Sequence, residues 1–248
     1  MQLVLSTWQQ IELYLTRSQA IIVPIGSTEQ HGPLGLLGTD AMCAEVLAKG
    51  VGDATGALVG PTIALGMAHH HLGFPGTIAL RPSTLMALVR DTVLSLADHG
   101  FRRLLFLNGH GGNNASVMAA FYEVHSELRW TRGDAAPDLR MKVVNWWDVE
   151  GVQPVIRELF GDKEGSHASP GEVSLSMFAH PGAVQIRPLE PEQAPTGEFH
   201  DARHFRRRFV DGRIGSASAL SSEGAGKKIY DAAVPAISAL YQRCVDQA

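Results

Sequence analysis

The chain has 248 residues, 45% of them hydrophobic and 19% charged, which is enough apolar material for one sizeable core and too much for a disordered segment. Lys and Arg number 21 against 25 Asp and Glu, a net charge of -4 that gives no general pull toward nucleic acid. Cys43 and Cys244 are too few to frame a disulfide scaffold, the start MQLVLSTWQQ lacks the pattern of a signal peptide, and no run approaches the roughly 18 apolar residues of a membrane span, so a cytoplasmic protein without membrane contact is expected.

In chain order, Thr7 to Arg17 has the spacing of a short amphipathic helix, and Ala20-Ile-Ile-Val-Pro-Ile25 is a continuous apolar run suited to a strand covered on both faces. Helical periodicity returns from about Asp40 to Lys49, and a second apolar run covers Ala57 to Leu65. A helix from Ser83 is expected to turn Leu85, Leu88, Val89 and Leu96 inward and to stop at Gly100. The strand Arg103-Leu-Leu-Phe-Leu107 feeds a helix carrying Val117, Met118, Phe121, Val124 and Leu128, and Met141 to Trp146 reads as a further strand. A last helix runs from Glu223 toward Val245, burying Ile229, Ile237 and Leu240, with a kink expected at Pro235. Such alternation predicts an α/β fold with a mostly parallel sheet, right-handed crossovers, and ligands at the carboxyl ends of strands. The segment 187–222 has little periodicity and is expected to form an arm or lid on a single domain spanning 1–248.

The chemistry-bearing residues gather where strands end. Gly26-Ser-Thr-Glu29-Gln-His31-Gly-Pro33 follows the first buried strand and brings a carboxylate and an imidazole two residues apart. Asp40, in Gly38-Thr-Asp40, stands at a helix mouth where the dipole favours its charged form. Asn108-Gly-His110-Gly-Gly-Asn113 presents one imidazole among small residues, and Ser166-His167-Ala-Ser-Pro-Gly171-Glu172 adds another imidazole and carboxylate at the start of a helix. Glu29, His31, Asp40, His110 and Glu172 are therefore candidate metal ligands. Nitrogen and oxygen donors without thiolate suit zinc, manganese or iron(II), and five side chains suffice for two ions if one carboxylate bridges them. Two ions about 3.5 to 4 Å apart could activate a water held between them.

Other features weigh less. Glu123-Val-His125 repeats the Glu-x-His pattern, but on a predicted helix its members diverge. Of His69-His70-His71, three successive imidazoles cannot readily face one ion; His71, just before Leu-Gly-Phe74-Pro-Gly-Thr77, is the candidate for a pocket wall, and the others read as surface or packing residues. Trp147 could line a pocket or pack in the core, and the basic run His200 to Arg208 reads mainly as a solvated face. No Gly-x-Ser-x-Gly elbow, His-Glu-x-x-His, phosphate-binding loop or dinucleotide loop is present.

The motifs Gly26 to Pro33, Gly38-Thr-Asp40, Phe74-Pro-Gly-Thr77, Asn108 to Asn113 and His167 to Ser174, in this order and spacing, resemble the creatininase family of amidohydrolases. The resemblance implies a three-layer α/β/α fold, a centre of two divalent metal ions, hydrolysis of a small-molecule cyclic amide or related C–N bond, and a homo-oligomer, often a hexamer. It implies that Glu29 and His110 hold one ion, His31 the other, and that Asp40 bridges. From its own chemistry His167, whose ordinary pKa suits the duty, is expected to protonate the departing nitrogen, the alternative being that it only orients a ligand. Creatininase proper takes a glutamate ligand where this chain has Gly112, so Glu172 is expected to supply it. Ser166 replaces a further glutamate, and the gating tryptophan upstream has no counterpart in Gly161 to Ser166. Creatinine is therefore not the expected substrate, and Ser166 joins His71 and Trp147 as candidate substrate contacts. Relatives with the Gly-Gly motif include a deformylase of a ribosylaminopyrimidine phosphate and a peptidase trimming a modified cofactor precursor; a noncatalytic metal-binding regulator is the alternative from another class.

Overall fold

Four parallel strands, β1 (Ala20–Ile25), β2 (Leu58–Val59), β3 (Arg103–Asn108) and β4 (Arg140–Asn145), line up in the order β2-β1-β3-β4 in the computed structural model, which describes residues 1–246. β1 and β3 are paired along their whole length, Ala20 opposite Arg103 through Ile25 opposite Asn108. Every residue of β1 is buried, as its unbroken apolar run requires of a central strand. The run from Ala57 to Leu65 yields only the two-residue β2 and an isolated bridge at Ile63, because Pro61 has no N–H to give a ladder.

Side chains alternate between two cores. Ile22, Leu105 and Leu107 pack with helices α2 (Thr39–Thr55), α5 (Val152–Phe160), α6 (Pro170–Ala179) and α8 (Glu223–Asp246) on one face. Ile21, Val23, Leu104 and Phe106 pack with α1 (Trp8–Leu15), α3 (Pro82–Asp98) and α4 (Asn114–Arg132) on the other. This is the expected three-layer α/β/α arrangement. The chain leaves β1 toward β2 through α2, then reverses through α3 and α4, so crossovers in opposite directions use opposite faces, as connections of one hand require. The reversal falls between β1 and β3, and a crevice opens there beyond their carboxyl ends.

Local signals set the helix ends. Gly100, at φ 105°, closes α3 with paired bonds from Gly100 N–H to Ala97 O and Phe101 N–H to Leu96 O. Ser169 and Glu172 cap α6 reciprocally, each side chain accepting the other's backbone N–H. Two burial expectations are corrected: Leu88 and Met118 are exposed, because α3 turns Leu85, Val89, Val93 and Ala97 inward while α4 buries Val117 and Phe121. Leu96 and Leu240 are only partly buried. Residues 187–222 cover the carboxyl end of the sheet, carry the unforeseen helix α7 (Ala202–Arg208), and are tied down by Arg213, which is buried and bonded to Asp211 and to the carbonyls of Pro191, Glu192 and Ser216. Among the described residues no helix is long and apolar enough to cross a membrane.

Gly26 marks where β1 meets α2: a Cβ there would lie 2.6 Å from Ala41 Cα. Gly26→Ala is accordingly expected to lower the unfolding free energy by about 3 kcal/mol, read as a fall in urea midpoint at unchanged slope.

Candidate metal centre

The end of β1 delivers Glu29 and His31, the first turn of α2 delivers Asp40, the end of β3 delivers His110, and the third residue of α6 delivers Glu172. Two asparagines staple these segments together. Asn108 accepts the His110 N–H and donates to His110 O, while Asn113 donates to Gly26 O and accepts from Met67 N–H. Gly109 lets this turn approach α2, since a Cβ there would stand 2.9 Å from the carbonyl carbon of Asp40.

Each imidazole is held by a backbone carbonyl through one nitrogen and aims the other into the cluster. His31 Nδ1 meets Glu29 O at 3.0 Å, and its Nε2 lies 2.9 Å from Asp40 Oδ1 and 3.8 Å from Glu172 Oε2. His110 Nε2 meets Met67 O at 2.9 Å, and its Nδ1 lies 3.3 Å from Glu29 Oε2 and 3.1 Å from Asp40 Oδ2. Such carbonyl contacts fix tautomer and ring orientation at metal sites. Asp40 thus offers one oxygen to each imidazole. Potential donor atoms fall into three groups, each within 4.8 Å: Glu29, Asp40 and His110; His31, Asp40 and Glu172; and Glu29, His31 and His167.

The donor set fits divalent cations. Glu29 Oε1 and Oε2 and Asp40 Oδ2 are buried without a hydrogen-bond partner, their imidazole neighbours lacking the alignment a hydrogen bond needs. Buried carboxylate oxygens left this way are costly unless a positive charge meets them. Among the protein groups alone, burial pushes Glu29 and Glu172 up to about 7, with the Asp40 charge adding to it. Burial also opposes charging of the two imidazoles, but the facing carboxylates outweigh it and push His31 up to about 10 and His110 to about 9. Against its own burial, Asp40 is held well below the usual carboxylate range by those imidazoles. His71 and His167 go the opposite way, kept neutral first by burial.

A cavity of about 430 Å³ opens over the cluster. A family model described as creatinine amidohydrolase matches residues 5–241. The chain belongs to the creatininase family. Membership places it among amidohydrolases. It is 27% identical over 244 residues to the creatinine amidohydrolase of Pseudomonas putida, covering 94% of this chain and 92% of that one. It is 40% identical over 106 residues to the mycofactocin precursor peptide peptidase of Mycolicibacterium smegmatis, covering 40% of this chain and 42% of the relative. The solved structure of a manganese creatininase superposes with a TM-score of 0.86 at 25% identity, covering 99% of this chain and 98% of that one.

Within this creatininase-family chain, all five candidate ligands converge. His167 lines the cavity beside them, 4.1 Å in ring separation from His71 and 4.7 Å from His31. His71 is buried with Nε2 3.2 Å from Glu29 Oε1, and Trp147 and Ser166 line the cavity farther out. At Gly112 a Cβ would meet Met67 O at 2.5 Å, so this turn has no room for a side-chain ligand there. Sequence reasoning missed His70, which lines the cavity and stacks on Phe199 at 4.9 Å, and Glu164, whose carboxyl burial pushes up to about 7. It also missed Phe205 of α7, which packs edge-on against His71. Glu123 and His125 are exposed on α4.

Proposed function

We propose that the chain is a metal-dependent amidohydrolase cleaving a cyclic amide, formamide or related C–N bond in a small uncharged molecule. The observation that carries the reading is the trio of buried, unpartnered carboxylate oxygens on Glu29 and Asp40, ringed by His31, His71 and His110. Glu29, Asp40 and His110 would hold one divalent ion, His31, Asp40 and Glu172 a second, with Asp40 shared; zinc, manganese and iron(II) suit these donors. When bound, such ions acidify water and polarise a carbonyl oxygen. His167 carries the proton that the departing nitrogen needs. His71 walls the pocket beside Glu29, and the Trp147 and Ser166 side walls contact the substrate beyond the reacting bond. Among the described residues no Lys or Arg lines the cavity, so a phosphate-bearing substrate finds no side-chain cation among them, which disfavours a phosphorylated formamide. A peptide bond of a modified cofactor precursor is the second reading, favoured by the 40% identity to the peptidase.

Metal analysis of Glu172→Ala tests the ligand set. Near two ions per chain in the native protein and near one in the variant are expected; an unchanged content removes Glu172 from it. A panel of lactams, formamides and short peptides, assayed with and without chelator, tests the activity, and no chelator-sensitive turnover across the panel would favour a noncatalytic regulator.

A further inference from the structure

Between Glu29 and His31 the sequence places Gln30, a buried amide that makes no approach to the acidic cluster and instead joins His71 to His167. Its Oε1 accepts the Gly32 N–H at 2.8 Å, which fixes the amide's orientation. Flipped, its NH2 would face that N–H and its oxygen would face the carbonyl of Gly212. Set the right way, Nε2 has two protons for three neighbours: His71 Nδ1 at 2.8 Å, Gly212 O at 2.9 Å and His167 Nε2 at 2.9 Å.

The backbone carbonyl of Gln30 decides which neighbour is left out. It lies 2.8 Å from the same His167 Nε2 and can only accept, so that nitrogen carries a proton and donates it there. The amide protons then go to His71 Nδ1 and Gly212 O, and every group is paired. The reverse assignment sets a bare His167 Nε2 against a carbonyl oxygen and strands either His71 Nδ1 or Gly212 O in a buried site.

We propose that Gln30 is a positioning residue that locks two imidazoles in fixed tautomers. His71 is bare at Nδ1 and carries its proton on Nε2, which lies 3.2 Å from Glu29 Oε1 without hydrogen-bond alignment. His167 is protonated at Nε2 and bare at Nδ1, which lies 3.9 Å from Glu29 Oε1 on the cavity side. The consequence for catalysis rests on the amidohydrolase reading. Because Nδ1 starts empty, His167 accepts a proton from the attacking water before giving one to the departing nitrogen. The water oxygen forms a C–O bond to the carbonyl carbon, the C–N bond breaks, the proton taken up at Nδ1 leaves on the departing nitrogen, and the imidazole returns to its starting tautomer.

Solid-state 15N NMR of zinc-loaded protein labelled in histidine, assigned with His71→Asn and His167→Asn, reads the protonated nitrogen of each ring. The expected native spectrum shows both rings protonated at Nε2 alone; a proton on Nδ1 of either ring overturns the lock. In Gln30→Glu, an acceptor of nearly the same shape, His71 is expected to gain a proton on Nδ1. kcat should fall about 10- to 100-fold with zinc content near native and little change in KM. Unchanged tautomers together with unchanged kcat in that variant also overturn it, and if the variant does not fold, the native spectrum alone decides. The expected tautomers in a protein that hydrolyses no amide would leave the lock standing and sink the functional reading; reversed tautomers in an active amidase would do the opposite.

Discussion

Asp40→Asn is expected to reduce turnover by roughly 10³-fold or more and to leave the centre with at most one weakly held ion. Its two oxygens point to different imidazoles, Oδ1 to His31 at 2.9 Å and Oδ2 to His110 at 3.1 Å, and only a carboxylate can serve both sides at once. An asparagine keeps the shape but turns one of those oxygens into an NH2, a donor where an acceptor is required. Metal analysis should separate this variant from Glu172→Ala, which loses a ligand of one group alone. Stability gives a second readout. Ions that bind only the folded chain at 100 times their Kd add about 2.7 kcal/mol per site. At roughly 2 to 4 °C per kcal/mol for a chain of this size, chelation of the native protein should lower Tm by about 5 to 11 °C per ion. The Asp40→Asn protein should respond little to chelator, since it holds at most one weakly bound ion to lose. Two tightly held ions in Asp40→Asn would refute the shared carboxylate.

The candidate site was legible because the residues that meet in space each follow a recognisable local signal. Glu29 and His110 come just after apolar runs that glycine-rich turns terminate, and Asp40 and Glu172 stand in the first turns of helices, where a carboxylate is favoured. The parallel pairing of β1 with β3 then brings the two turns side by side. What the sequence concealed depends on contacts distant along the chain. Gln30 carries no charge and acquires its role only from His71, His167 and Gly212, 41, 137 and 182 positions away. The segment 187–222 shows no helical period, yet α7 forms because Asp201 caps it, its side chain accepting the His204 N–H, and because Phe205 packs against His71 and Phe199. Leu88 and Met118 were misplaced for a related reason: α3 and α4 carry apolar residues on more than one face, and only packing against the sheet selects the inward stripe.

His167→Asn is expected to slow amide hydrolysis by about 10² to 10⁴-fold while the metal content stays near native. Geometry leaves two roles open to this ring, because His167 lies within reach of Glu29 and His31 as a third possible donor group and also faces the cavity beside them. The backbone around it favours the proton-carrying role: Ile214 N–H and Ser216 Oγ–H both donate to His167 O, and Gln30 O faces the ring Nε2 at 2.8 Å, so the residue is anchored through its backbone and one ring nitrogen while it lines the cavity. A ligand and a proton carrier differ in what their loss does. Removing a ligand lowers ion content and slows every substrate alike. Removing a proton carrier spares the ions and penalises substrates in proportion to how badly the leaving group needs a proton. An alkyl amide should therefore lose the full factor, whereas an activated ester of the same acyl group, whose leaving oxygen departs unprotonated, should lose only the smaller part that comes from proton uptake during attack of the water. Equal losses on both substrates, accompanied by a missing ion, would move His167 from the proton path into the metal shell.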